Sequence, residues 1–247
     1  MPDFLNFRRE GASGRGNDLA NRSVGTSMSE STSEPIKVDI WSDIACPWCY
    51  IGKRKFEAGA AEFGGPVEIE YHSFELAPDT PVDFDGSEID FLASHKGLPA
   101  DQVTQMLARV TGIAESVDLH YDYDALKHTN TVKAHQVIHY AKAHGRQLEM
   151  KERLLKAYFV EGRHVGRDAD LAELAGEIGL DADDVLRSLA ENEYLADVRA
   201  DQAQAAAYGI QGVPFFVIDG KYGISGAQDP QVFAGALAQV RDEKVPA

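Results

Sequence analysis

Ile36-Lys37-Val38-Asp39-Ile40-Trp41 alternates apolar and polar side chains, the period of a strand with one buried face. The alternation stops at the short loop Ser42-Asp43-Ile44-Ala45, and Cys46-Pro47-Trp48-Cys49-Tyr50 follows. Proline suits the first position of a helix, where no backbone N–H is needed, so the spacing predicts a helix that begins at Pro47. It runs through Lys53, Phe56 and Ala60 and stops near Gly64-Gly65. A second strand is predicted over Val67–Phe74, where Val67, Ile69, Tyr71 and Ser73 alternate with Glu68, Glu70 and His72.

From about Gly86 to Gly209 the apolar spacing becomes three and four, the period of helices packed on one side. Segments Asp101–Val110, Thr131–Ala143, Leu148–Val160, Asp168–Glu177 and Asp183–Ala207 follow it. Gly145, Gly166 and Gly179 separate them, with Asp168 and Asp181 as candidate N-caps. Phe215–Ile218 is a β-branched and aromatic run, and Asp219-Gly220 is a hairpin turn signal before Tyr222-Gly223-Ile224-Ser225. A last helix is predicted from Pro230 to about Arg241. The order is strand, helix, strand, helical block, hairpin, helix: an α/β unit interrupted by an α-helical insertion. The boundaries are a leader over 1–34, a core over 35–80 and 208–243, and an insertion over 81–207.

Composition narrows the function. Of 247 residues, 44% are hydrophobic and 26% charged, which excludes wholesale disorder. The net charge of −16 argues against nucleic acid or an anionic membrane as partner, since both are polyanions. No run approaches the ~18 apolar residues of a membrane span. Residues 1–33 carry four acids and four bases, so the −16 falls on the rest of the chain. They are rich in Ser, Gly and Asn, lack the apolar stretch of a secretory signal, and read as a disordered leader. Met28 is a second candidate start, and the expected location is the cytoplasm.

The two cysteines, Cys46 and Cys49, carry the chemistry. A helix N-terminus presents free N–H groups that stabilise a thiolate on Cys46. Cys49, one turn later, can close or resolve a disulfide: the first cysteine attacks, and the second releases the mixed disulfide. Three plainer readings stand beside this one. Half a zinc site lacks a second cysteine pair, though histidines could complete it. A structural disulfide across so short a loop adds little stability. Two inert buried thiols are the third. The strand before, the proline at the helix start and the helix after favour a redox site.

Ser42-Asp43-Ile44-Ala45-Cys46-Pro47-Trp48-Cys49-Tyr50-Ile51-Gly52 resembles the DsbA-like thioredoxin family, in particular its FrnE-type branch. The resemblance continues in Gly212-Val213-Pro214-Phe215-Phe216-Val217 and Ile224-Ser225-Gly226-Ala227-Gln228, and spans roughly residues 36–240. It implies a thioredoxin-like fold with an inserted α-helical domain and thiol–disulfide exchange on protein or small-molecule dithiols and disulfides. It also implies a cis Pro214 facing the cysteines. Val213 would then offer backbone groups to an extended substrate, against the plainer reading of a turn at a strand start. No bound cofactor is required, and glutathione is a candidate co-substrate.

Between the cysteines DsbA has proline and histidine, where this chain has Pro47-Trp48. An indole carries no positive charge, so a less depressed Cys46 pKa and a weaker oxidant are expected. Some FrnE-type proteins have a second cysteine pair near the C-terminus; this chain has none after Cys49, which excludes an internal relay.

Other residues are weighed against plainer roles. Asp43 is a candidate proton acceptor or a loop residue. Trp48 is a candidate substrate contact or packing over the helix end. Asn130-Thr131-Val132-Lys133-Ala134-His135 resembles a segment of the family's insertion, where Asn130 and His135 would line the cleft. Helix capping and a satisfied buried histidine are the alternatives. His135 and His139 share a helix face, but the glutamate of the zinc-protease motif is missing and no metal is assigned. Arg163 is a candidate carboxylate ligand in a loop expected to be solvated.

Beside a metal-binding module, which stoichiometric zinc in the purified protein would favour, two rival functions remain in view. The 2-hydroxychromene-2-carboxylate isomerases and kappa-class glutathione transferases share the interrupted fold but typically carry serine where this chain has Cys46. A non-enzymatic holdase would use the cleft between core and insertion and would not need the thiols.

Overall fold

A computed structural model describes residues 34–244 and the short strand Leu5–Asn6. The remainder of the predicted disordered leader lies outside the described residues. The sheet has the order β1-β5-β4-β2-β3, with β1 Leu5–Asn6, β2 Ile36–Ser42, β3 Val67–Ser73, β4 Phe215–Ile218 and β5 Tyr222–Ser225. β2 and β3 run parallel, joined by helix α1 (Pro47–Phe63), and the other pairs are antiparallel. β1 corrects the leader reading at two residues: it pairs with β5 through Leu5↔Gly223 and Asn6↔Tyr222 and covers part of an open sheet edge.

The alternation in β2 sorts its residues between two faces. Ile36, Val38 and Ile40 join Phe56, Phe216, Phe233 and Leu237 in a core beneath α1 and the last helix, α9 (Pro230–Lys244). α1 and α9 approach closely because residue 59 is glycine. A Cβ there would lie 2.5 Å from the Pro230 carbonyl oxygen and 2.8 Å from Phe233 Cβ. On the opposite face Trp41 is buried among Ala205, Ile210, Phe215 and Val217, and stacks on His72 at 4.5 Å.

Between β3 and β4 the described chain forms α2 (Glu88–Lys96), α3 (Ala100–Glu115), α4 (Val132–Ala143), α5 (Gln147–Phe159), α6 (Asp168–Glu177), α7 (Ala182–Glu191) and α8 (Leu195–Ala207). Leu154, Leu155, Tyr158, Leu171 and Leu174 fill their core, which runs without a break into Ile44, Tyr50 and Ile51 beside the cysteines. The expected helix Asp183–Ala207 is two helices. Asn192 adopts the left-handed conformation, φ 52°, and ends α7. Asp181 caps α7, accepting from Asp183 N and Asp184 N at 3.0 Å, whereas Asp168 is the first residue of α6 behind Arg167. α2 was not predicted, although its capping box, Ser87 with Asp90, is written in the sequence.

Two polar clusters tie the insertion to the core. Glu152 on α5 accepts from Tyr50 Oη at 2.7 Å, Lys53 Nζ at 2.6 Å and the Arg54 guanidinium at 2.5 Å, all on α1. Burial opposes its charge, but these donors win and hold its pKa down to about 2. Asp201 on α8 accepts from His72 Nδ1 at 2.8 Å, Ser73 N at 2.7 Å and His139 Nε2 at 2.9 Å.

Candidate functional site

Cys46 is the N-cap of α1, with extended backbone and a side chain that makes no capping bond. Its sulfur is therefore not spent on the helix and lies 3.5 Å from the Val213 carbonyl oxygen. Pro47 occupies the first turn as expected, and Cys49 N–H donates to the Cys46 carbonyl at 3.0 Å. The Val213–Pro214 peptide is cis. Pro214 reaches the cysteine helix because residue 52 has no side chain: a Cβ on Gly52 would lie 2.8 Å from Pro214 Cγ. Gly226 N–H binds the Pro214 carbonyl at 2.8 Å and fixes the loop from the other side. The three sequence runs meet here.

Both cysteines are free and buried. Each thiol acts on the ionisation of the other, so one ionises more easily than an ordinary thiol and the other less easily. Cys46 is pushed well up, by its hydrogen bond to Cys49, by burial, and by the Cys49 and Asp43 charges. Cys49 is held low: burial opposes its charge, but the Cys46 hydrogen bond, the Lys151 ammonium, the Ser42 hydroxyl and the Asp43 amide outweigh burial. The helix N-terminus faces Cys46, and the buried Lys151 ammonium stands on the side of Cys49.

That cation was missed in the sequence. Lys151 on α5 is 1% exposed, lies 3.5 Å from the Ser42 carbonyl oxygen and 5.4 Å from the Tyr71 ring, and pairs with no carboxylate among the described residues. Burial drives its pKa down to about 8, against the support of the Cys49, Asp43 and Cys46 charges. A lysine at a helical apolar position reads as a solvated face until the fold packs that helix behind the thiols.

Asp43 is buried in the loop before Cys46. Its Oδ2 accepts from Leu76 N at 2.8 Å and its Oδ1 faces His135 Nε2 at 3.2 Å. Burial would raise its pKa, but the His135 bond and charge, the Leu76 amide and the Thr131 hydroxyl lower it. A carboxylate held low is a poor base, so this geometry favours the loop-fixing role. His135 is spent on Asp43, and His139 on Asp201 and Ser73, so the helical pair does not converge on one point. Asn130 donates from Nδ2 to the Pro78 carbonyl at 2.8 Å and accepts from Val132 N at 2.9 Å, one residue ahead of the α4 N-cap, Thr131. Its neighbours Thr129 and Thr131 line the cleft instead. Arg163 is taken by Glu173 and Glu177.

Cys46, Pro47 and the 39% exposed Trp48 open on a cavity of about 430 Å³ walled mainly by α2 and α3. Cys49 is not in its wall. Of the two sulfur-bearing residues, Cys46 is the one that a molecule in this cavity would meet.

With this geometry in place, the sequence matches the family model of the DSBA-like thioredoxin domain over residues 37–238. The chain belongs to that family. It is similar to a probable DsbA oxidoreductase of Streptomyces coelicolor, with 38% identity, 86% of this chain and 92% of that one covered, and a TM-score of 0.78. It is 29% identical to the uncharacterised protein YwbO of Bacillus subtilis (strain 168), over 85% of this chain and 99% of YwbO. The fold is shared with the cytosolic disulfide reductase DsbM of Pseudomonas aeruginosa at 20% identity, with 83% and 98% of the chains covered and a TM-score of 0.60. No helix among the described residues is long and apolar enough to cross a membrane.

Proposed function

We propose that this protein is a thiol–disulfide oxidoreductase that works through Cys46-Pro47-Trp48-Cys49. The observation that carries the reading is the placement of Cys46. Its sulfur lies at a helix N-terminus, against the carbonyl of Val213 and in the wall of a cavity, with Cys49 and the buried Lys151 behind it. In the reducing direction Cys46 passes its proton to Cys49 and attacks a substrate disulfide sulfur. A mixed disulfide forms, and the first substrate thiolate leaves. The departing thiolate takes that proton from Cys49, and the Cys49 thiolate, favoured by the Lys151 ammonium, then attacks Cys46 Sγ. The Cys46–Cys49 disulfide closes, the second thiol leaves, and two electrons have moved from protein to substrate.

The cysteines carry the electrons, so no bound cofactor enters the scheme. Glutathione is the small-molecule co-substrate we assign, and the cytoplasm the location. The FrnE-type placement rests on the run from Ser42 to Gly52.

Trapping tests the assignment. Cys49→Ser should accumulate a mixed disulfide on Cys46, visible by mass spectrometry, and Cys46→Ser should form none. Catalysis that needs glutathione and survives Cys46→Ser would instead establish the isomerase or transferase reading. Client protection that survives loss of both thiols would establish a holdase.

A further inference from the structure

The cavity beside Cys46 has features that exchange with an extended polypeptide does not call for. Its α3 wall is apolar, from Met106, Leu107 and Val110, and its α2 wall carries Phe91. The size falls in the range of small-molecule sites, which are mostly apolar with a few placed polar groups. One such group is present. His128 is 5% exposed and forms part of the wall. Its Nδ1 faces Glu88 Oε2 at 2.7 Å, and its ring stacks on Phe91 with centroids 3.4 Å apart. Its Nε2 is buried without a hydrogen-bond partner among the described residues. Nδ1 is taken by Glu88, with the Tyr158 hydroxyl 3.3 Å away, so Nε2 is the ring nitrogen left for a polar group of a ligand.

Charge supplies the third feature. The chain carries −16, yet Lys96 and Arg109 line this cavity, both exposed and neither in an ion pair among the described residues. Two unpaired cations beside an apolar pocket on an acidic protein select an anion.

We propose that this cavity binds the organic body of a small-molecule thiol or disulfide: an apolar group against Phe91 and Leu107, one amide or hydroxyl group at His128 Nε2, and a carboxylate toward Lys96 and Arg109. The inference rests on the exchange reading above and names its substrate class. The bound disulfide presents one sulfur to Cys46. Cys46 passes its proton to Cys49, its Sγ bonds to the substrate sulfur as the S–S bond breaks, and the substrate thiolate that leaves takes the proton from Cys49. Cys49 then displaces the second, so that the protein dithiol is oxidised and the disulfide reduced by two electrons.

N,N′-dibenzoylcystine has all three features in each half; hydroxyethyl disulfide lacks the apolar body and the charge. The test is the rate at which each oxidises the reduced protein, normalised to its rate with free dithiothreitol. The expected preference for dibenzoylcystine is 100-fold or more. It should fall at least tenfold in the double variant Lys96→Glu, Arg109→Glu, and at least tenfold in Met106→Trp, which fills the cavity. Circular dichroism checks that each variant is folded. Exchange without a preference, or a preference that both variants keep, overturns this proposal and leaves thiol exchange standing. If neither disulfide oxidises the protein, the exchange reading fails. The cavity is then decided by N-benzoyl-S-methylcysteine, which cannot be reduced: saturable quenching of Trp48 fluorescence, weakened tenfold in Arg109→Glu, supports the site, and its absence overturns it.

Discussion

Replacing Lys151 by methionine should make the protein more stable and a slower catalyst. The stem of Lys151 fills space that methionine can also fill, but its ammonium is buried with no carboxylate partner among the described residues. Its pKa is brought down from 10.5 to about 8. Keeping the charge at pH 7 therefore costs about 3 kcal/mol. Losing the contacts to the Ser42 carbonyl and the Tyr71 ring returns part of that, so the net gain should be about 2 kcal/mol. In a chain of this size that raises Tm by about 4–8 °C.

The sign with pH is fixed. The folded pKa lies below the unfolded one, so the wild type gains stability as pH rises from 8 to 10.5. The advantage of Lys151→Met should be constant below pH 8 and vanish above 10.5. It should be larger in the oxidised protein, where no Cys49 thiolate supports the ammonium. Urea melts of both redox states across pH measure this. In stopped flow the mixed disulfide should persist about tenfold longer in the variant, as Cys49 ionises less readily. A variant less stable at pH 7, or a gap that does not close with pH, would refute the reasoning.

Gly52→Ala drives a methyl to 2.8 Å from Pro214 Cγ and should cost about 1–3 kcal/mol and slow exchange, read by melts and turnover together. His72 is raised to about 9: burial opposes its charge, but the Asp201 and Asp39 hydrogen bonds prevail. Its stabilisation, about 3 kcal/mol at most, is complete below pH 6.5 and lost as pH rises through 9, and His72→Gln should abolish that alkaline loss. Glu152, lowered from 4.5 to about 2, stabilises above pH 4.5 and ceases to do so as pH falls toward 2. With its partly exposed side chain, Glu152→Gln should remove about 1–2 kcal/mol at pH 7 and little at pH 2.

Much of this architecture is local and so is visible in the chain. Alternation in β2 and β3, Pro47 at the start of α1 and the Asp219-Gly220 turn each set their element within a few residues. The cysteine pair and Val213-Pro214, far apart in sequence, could be joined in advance only through the family resemblance. The parts that escaped notice depend on packing. Lys151 acquires its character because α5 is laid behind the cysteines, and His128 because Glu88 and Phe91 of α2 close on it. Asn130 and His135, singled out for the cleft, are consumed by Pro78 and Asp43, contacts across 52 and 92 residues that no spacing rule reveals.

The central claim is that Cys46 and Cys49 form a reversible redox pair. Its most direct test is the reduction potential, by alkylation and mass spectrometry across a glutathione series. The account predicts a reversible disulfide with a potential nearer the ~−270 mV of thioredoxin than the ~−120 mV of DsbA, because no imidazolium between the cysteines stabilises a Cys46 thiolate. A potential near ~−120 mV would contradict the argument from Trp48, and no disulfide at any poise would contradict the function.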